Sequence, residues 1–246
     1  MYYLREQPAM YTRHFTSLLF FVLALSIRAH ATWSVILIDA KTGTIGIAGA
    51  SCSPNCYGIG RIMPGTGAII VQAMSNNDAR AKGVSMMLAN ASPEEIIKAL
   101  RDPEFDPERQ QYAVVTINYM TPATYTGDST HAVGGALTAP GISVQGNTLA
   151  NDQVLKQVMD AVVRGQQQSL PIDAILMQAL EAGSEAGGDR RCGEQRATSA
   201  FITIFHRDDP PKRPFLNLNT FGQPKGGPNA VVLLRKRYDR WKEKQG

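Results

Sequence analysis

The sequence predicts an α+β fold in which antiparallel sheets are covered by helical layers. Two observations lead there. Helical patterns come in pairs between groups of strands, whereas a parallel doubly wound sheet alternates strand and helix one by one. The first two strands also form a hairpin rather than a crossover.

Thr32 to Asp39 alternates and then becomes continuously apolar, as a strand buried on at least one face does. Ala40 to Gly43 is a turn, and Thr44 to Ala50 is the second strand. Ser51 to Gly67 is rich in Gly, Pro, Cys and Asn and reads as a structured loop or a frayed continuation of the second strand; Ala68 to Ala73 is the third strand. Asp78 to Leu88 is a helix. A second helix runs to Leu100 and starts at a capping box: Ser92 as N-cap, Pro93 at the first position and Glu95 three residues on. Asp102-Pro103 and Asp106-Pro107 break the chain before a strand from Gln111 to Asn118. Thr121 to Thr126 leads to Gly127-Asp128, and Gly141 to Gln145 is a short strand. Asp152 to Val163 and Pro171 to Ala182 carry apolar residues at helical spacing. Gly187 to Arg191 is a polar loop, and Thr198 to Phe205 is a strong strand. After the break at Asp208 to Pro211, Phe215 to Leu218 reads as an edge strand, and Asn229 caps a final amphipathic helix through Trp241.

Residues 1–31 read as a cleaved secretory leader. Arg5 and Arg13 precede an apolar run from Phe15 to Ile27, and Ala29-His30-Ala31 has the small-x-small pattern of a cleavage site. The apolar run falls short of the ~20 residues a membrane span needs. Cleavage leaves 215 of the 246 residues, enough for one sizeable core. Residues 32–207 form the domain, and 208–246 add an edge strand and a basic helix packed on it. The leader takes Arg5, Arg13, Arg28 and Glu6 with it, so the formal charge falls from +4 to +2. That balance gives little reason to expect nucleic acid. The basic run from Arg235 to Lys244 is interleaved with acidic and aromatic residues and reads as the solvated face of the last helix. In an oxidising compartment two of the three cysteines, Cys52, Cys56 and Cys192, can pair, and the spacing does not select which. No metal is expected: after processing only His131 and His206 remain, neither at ligand spacing from the cysteines.

Processing after Ala31 would make Thr32 the first residue. A threonine hydroxyl is a weak nucleophile without a base beside it. A free N-terminal amine, with a pKa of about 7.7–8.0, is such a base. It can take the hydroxyl proton and then deliver it to a leaving nitrogen. No separate histidine is required.

The chain resembles a bacterial family known as domain of unknown function 1028, grouped with the N-terminal nucleophile hydrolases. The resemblance rests on Thr32-Trp33-Ser34-Val35-Ile36, Gly46-Ile47-Ala48, Gln72-Ala73 with Asn76, Thr126-Gly127 and Gln145-Gly146-Asn147. It continues through Leu180-Glu181-Ala182-Gly183, Glu185 to Arg191, and Gln195 with Ala197. It implies a four-layer αββα sandwich of two antiparallel sheets between helical layers, with Thr32 as the nucleophile. Where many relatives carry a lysine near the end of the second strand, this chain has Cys52. Lys41 is too distant to replace it, and Arg190 or Arg191 could do so only if their loop folds back.

The expectation is an exported N-terminal threonine amidohydrolase acting on a small amide or peptide, without cofactor, without stable membrane insertion after processing, and as a homo-oligomer. Asn147 and Asn76 are candidate oxyanion donors beside Thr32. Gln145, Gly146, Asp189, Arg190 and Arg191 are candidates for holding substrate, the arginines through carboxylate geometry; the acidic and basic residues also fit a structural ion-pair cluster. Ser34, on the same strand face as Thr32, is a candidate supporting group; Asp39 either orients the α-amine or caps the hairpin turn. Two rivals stand beside this: a non-catalytic periplasmic binding protein of the same fold, and a redox protein using Cys52 and Cys56. A basic residue beside Thr32 would favour the enzyme, and a disulfide in that pocket the binding protein.

Overall fold

The computed structural model describes residues 32–130 and 133–245. The leader and His131 lie outside the described residues. The strands are Thr32–Asp39 (β1), Thr44–Ser51 (β2), Gly60–Met63 (β3), Gly67–Ala73 (β4), Gln110–Thr116 (β5), Ala123–Thr126 (β6), Gly135–Ala139 (β7), Ile142–Asn147 (β8), Ser199–Phe205 (β9) and Leu216–Thr220 (β10). The helices are Asn77–Leu88 (α1), Pro93–Leu100 (α2), Gln153–Gln167 (α3), Ile172–Glu185 (α4) and Ala230–Glu243 (α5).

The strands form two antiparallel sheets, ordered β10-β9-β2-β1-β8-β7 and β3-β4-β5-β6. β1 lies inside the larger sheet and is buried on both faces, which accounts for its continuous apolar run. Trp33, Val35 and Leu37 point into a core shared with α3, α4 and α5. Ile36 and Ile38 point the other way, into a core shared with Ile70, Ala113 and Val115 of the smaller sheet. A third core joins Ile69, Val71, Tyr112 and Val114 of that sheet to α1 and α2. The chain is thus a mixed α+β fold of two antiparallel sheets and helices, consistent with a sandwich.

Local chemistry fixes several boundaries. The capping box closes α2: Ser92 Oγ accepts from Glu95 N at 3.2 Å, and Glu95 Oε2 accepts from Ser92 N at 2.8 Å. Asp39 ends β1 by accepting from Lys41 N and Thr42 Oγ1 in the hairpin turn. β3 and β7 lie where sequence patterning gives loop. Both are short edge strands, and edge strands bury too little apolar surface to show a pattern. The basic helix α5 is partly neutralised by α4: Arg235 pairs with Glu181 and Lys242 with Asp173.

Candidate active site

Thr32 opens β1, opposite Ser51 of β2 and Asn147 of β8. Strand alternation puts Thr32 and Ser34 on the face that meets the smaller sheet. Polar side chains buried between two sheets need partners, and here they find them in each other. Ser34 Oγ donates to Gln72 Oε1 and accepts from Gln145 Nε2, each at 2.7 Å. Gln72 Nε2 donates to Gln111 Oε1 at 2.7 Å, and Asn147 Nδ2 donates to the same oxygen at 3.2 Å. Gln111 Nε2 reaches the Gly146 carbonyl at 2.9 Å. These five side chains are buried and tie β1 and β8 to β4 and β5 beside Thr32.

The other side of Thr32 borders a cavity of about 210 Å³. Its walls come from the Ser53–Ile59 region after β2 and from the turn joining β4 to α1. That turn holds two non-glycine residues in the left-handed region, Ala73 at φ 67° and Ser75 at φ 51°. Such backbone costs about 1–3 kcal/mol per residue and is concentrated at functional sites. The first turn of α1 then brings Arg80 into the wall, only 6 % exposed. Its Nη1 donates to Ser75 Oγ at 3.3 Å and its Nη2 to Asn77 Oδ1, both neutral acceptors. Among the described residues no carboxylate pairs with it. Burial lowers the pKa of Arg80, and nearby Arg61 acts in the same direction; a guanidinium nonetheless stays charged. Sequence reasoning overlooked Arg80. The signal was present: Arg80, Gly83 and Met87 are spaced three and four apart and share the buried face of α1.

The opposite wall is pinned from several directions. Cys52 is disulfide-bonded to Cys192, across 140 positions of sequence. Cys52 N donates to Asp189 Oδ2 at 2.6 Å, and Thr198 and Ser199 hydroxyls donate to the Ser53 carbonyl. Asp189 is fully buried and paired with Arg191 at 2.7 Å. Cys52 of the disulfide and Arg191 border a separate surface cleft that Gln223 and Lys225 also line, and neither lines the cavity of Thr32. Cys56 does line that cavity as a free thiol. Burial pushes its pKa up to about 12, so it stays protonated and poorly nucleophilic. The pairing of Cys52 with Cys192 removes the Cys52–Cys56 redox couple.

The remaining sequence candidates fall in different places. Asn147 and Gly146 stand beside Thr32 through strand register, but the Asn147 amide is engaged with Gln111. Gln145 serves Ser34 and accepts from Ser143. Asn76 caps α1: its oxygen accepts from Asp78 N and Ala79 N, and its Nδ2 donates to the Phe105 carbonyl. It is therefore not a free oxyanion donor. Of the two readings of Asp39 the amine-orienting one falls, because Asp39 sits at the far end of the eight-residue β1, roughly 23 Å from Thr32 at strand rise, and caps the hairpin turn instead. Arg190 is exposed, and its backbone N donates to the Thr148 carbonyl. Asp189 and Arg191 are an ion pair that braces the Ser51–Ser53 segment, the structural alternative for that cluster. The family-like glycines near them serve packing. A Cβ on Gly183 would come within 2.4 Å of Trp33 Nε1, and Gly188, at φ 59°, lies under the same ring. Among the described residues no cluster of three or more His, Cys, Asp and Glu could hold a metal ion.

The model of a family of unknown function, DUF1028, matches residues 32–221. The chain belongs to the DUF1028 family. The match begins at Thr32. Among solved structures, the crystal structure of protein SPO2555 from Silicibacter pomeroyi, also assigned to DUF1028, is similar, with a TM-score of 0.72 and 23 % identity over 85 % of each chain. At that identity the likeness concerns the fold. No curated protein matches the chain.

Proposed function

We propose that this DUF1028 protein is an exported N-terminal threonine amidohydrolase, with the four-layer αββα arrangement of N-terminal nucleophile hydrolases. The observation that carries the reading is the shared cavity: Thr32, the residue that leader cleavage would free, borders the same space as the buried cation Arg80. A cation that shares the cavity with the amine disfavours its protonated form and so favours the free base. The three successive apolar cores support the layering. The Cys52–Cys192 bond supports an oxidising compartment, periplasmic or extracellular.

In the mechanism, the Thr32 amine takes the hydroxyl proton as Oγ attacks the amide carbonyl carbon. The amine then protonates the leaving nitrogen, the C–N bond breaks, and an ester remains on Thr32. Water attacks that ester while the amine accepts its proton. The C–Oγ bond breaks, the proton returns to Oγ, and a carboxylic acid departs. The chemistry asks for no metal or organic cofactor. Backbone donors near Gly146 and Asn147 are the candidates for the oxyanion. An exported location suits a peptide or cell-wall-derived amide.

The test is the N-terminus of protein exported from cells, by sequencing and intact mass. A chain beginning at Thr32 is expected. A chain beginning elsewhere, or one that keeps its leader, leaves Thr32 without its amine and makes a binding protein of the same fold the better account.

A further inference from the structure

Arg80 has five N–H donors, of which Ser75 and Asn77 take two. The other three have no protein acceptor among the described residues, and Arg80 lines the cavity. A buried guanidinium with neutral partners only is an uncompensated charge, and an anion entering the cavity would compensate it. Arg61, on β3, is exposed and close enough to Arg80 to act on its charge. It has no acidic partner among the described residues either, so the surroundings of the cavity attract anions. The cavity of about 210 Å³ has room for a small acid or for the end of a larger one.

We propose that Arg80 is the anion-binding residue of this site and that the substrate is a small N-acyl amino acid, or the end of a short peptide, whose carboxylate meets Arg80 while its amide carbonyl meets Thr32. This rests on the Thr32 reading for the chemistry, but not for the binding. The guanidinium fork matches a carboxylate two-to-two. Ser75 accepts from Nη1 and Asn77 from Nη2, which leaves one N–H on each of these nitrogens and the Nε N–H for the guest.

The experiment uses N-acetylglycine and its neutral isostere N-acetylglycinamide as probes, titrated into mature protein and into Thr32→Ala, which cannot turn them over. The acid is expected to bind at least tenfold more tightly than the amide to both proteins. Arg80→Gln should bring the two ligands to equal affinity, and Arg80→Lys, which keeps the charge but loses the fork, should fall between. Equal binding of acid and amide to unmutated protein overturns the proposal, whether or not the Arg80 variants fold. Tighter binding of inorganic phosphate than of N-acetylglycine overturns it in favour of a phosphorylated ligand. A preference for the acid without any hydrolysis contradicts the Thr32 mechanism and leaves the Arg80 assignment standing. Equal hydrolysis of charged and neutral amides does the reverse.

Discussion

At the scale of single residues, Thr32 sits between two kinds of polar surroundings. On one side is a closed amide network in which Gln111 is the hub, and on the other a cavity with an unneutralised cation. The network costs little while it is complete and much when one member is lost. Gln111→Leu strands the Gln72 and Asn147 amides and the Gly146 carbonyl, so a loss of about 2–4 kcal/mol is expected in urea unfolding, as for several unsatisfied buried groups. Cys56 makes a separate prediction. Its thiol keeps its proton to about pH 12 in the folded state, while the unfolded chain releases it near 9.0. The folded state therefore binds more protons above that point, and stability falls as pH rises from about 9 towards 12, by about 1.4 kcal/mol per unit. Below pH 9 the contribution is intact. Urea midpoints at pH 8 and about pH 10 should separate more in the native protein than in Cys56→Ala.

At the scale of elements, the loop after β2 matters most, because it forms one wall of the cavity and carries little regular structure of its own, a single 3-10 turn at Tyr57–Ile59. It is held instead by the Cys52–Cys192 bond, the Asp189 carboxylate and the hydroxyls of Thr198 and Ser199. A loop closed across 140 positions lies in the range where a disulfide contributes most, about 2–5 kcal/mol. Replacing both cysteines by serine should lower stability by that amount, read from denaturant midpoints. It should also weaken any ligand of the Thr32 cavity more than Asp39→Ala does, since Asp39 serves only the distant hairpin turn.

At the scale of the whole molecule, what the sequence revealed depended on how local the signal was. The capping box of α2 and the amphipathic faces of α3 and α4 are local, and they form as patterned. β3 and β7 are not: their residues pair only because a sheet edge is there to receive them. The site follows the same rule. Thr32 was singled out by a processing junction, and Ser34 by strand alternation, which the register places on the face that meets the smaller sheet. Which cysteines pair was not legible, because that depends on the Arg190–Gln195 turn coming to the end of β2. Arg80 carried a periodic hint, yet its role depends on a cavity that no spacing describes. The segment from Leu180 to Gln195 carries part of the family resemblance, and Asp189 and Arg191 within it were candidates for holding substrate or for a structural ion pair. Its specificity comes from the flat approach to Trp33 and from the Asp189–Arg191 brace.

The central claim is that Thr32, with its own amine, is a nucleophile. The most direct measurement is covalent labelling of exported protein by a β-lactone, read by intact mass and peptide mapping. The account predicts one adduct, on Thr32. The adduct should be retained in part in Thr32→Ser and lost in Thr32→Ala, and it should be absent from protein that keeps its leader. Removal of a nucleophile in related chemistry lowers turnover by about a millionfold, so Thr32→Ala should show no measurable residue of activity. Equal labelling of leader-bearing and mature protein, or an adduct on Cys56 or Ser53 instead, would contradict the account.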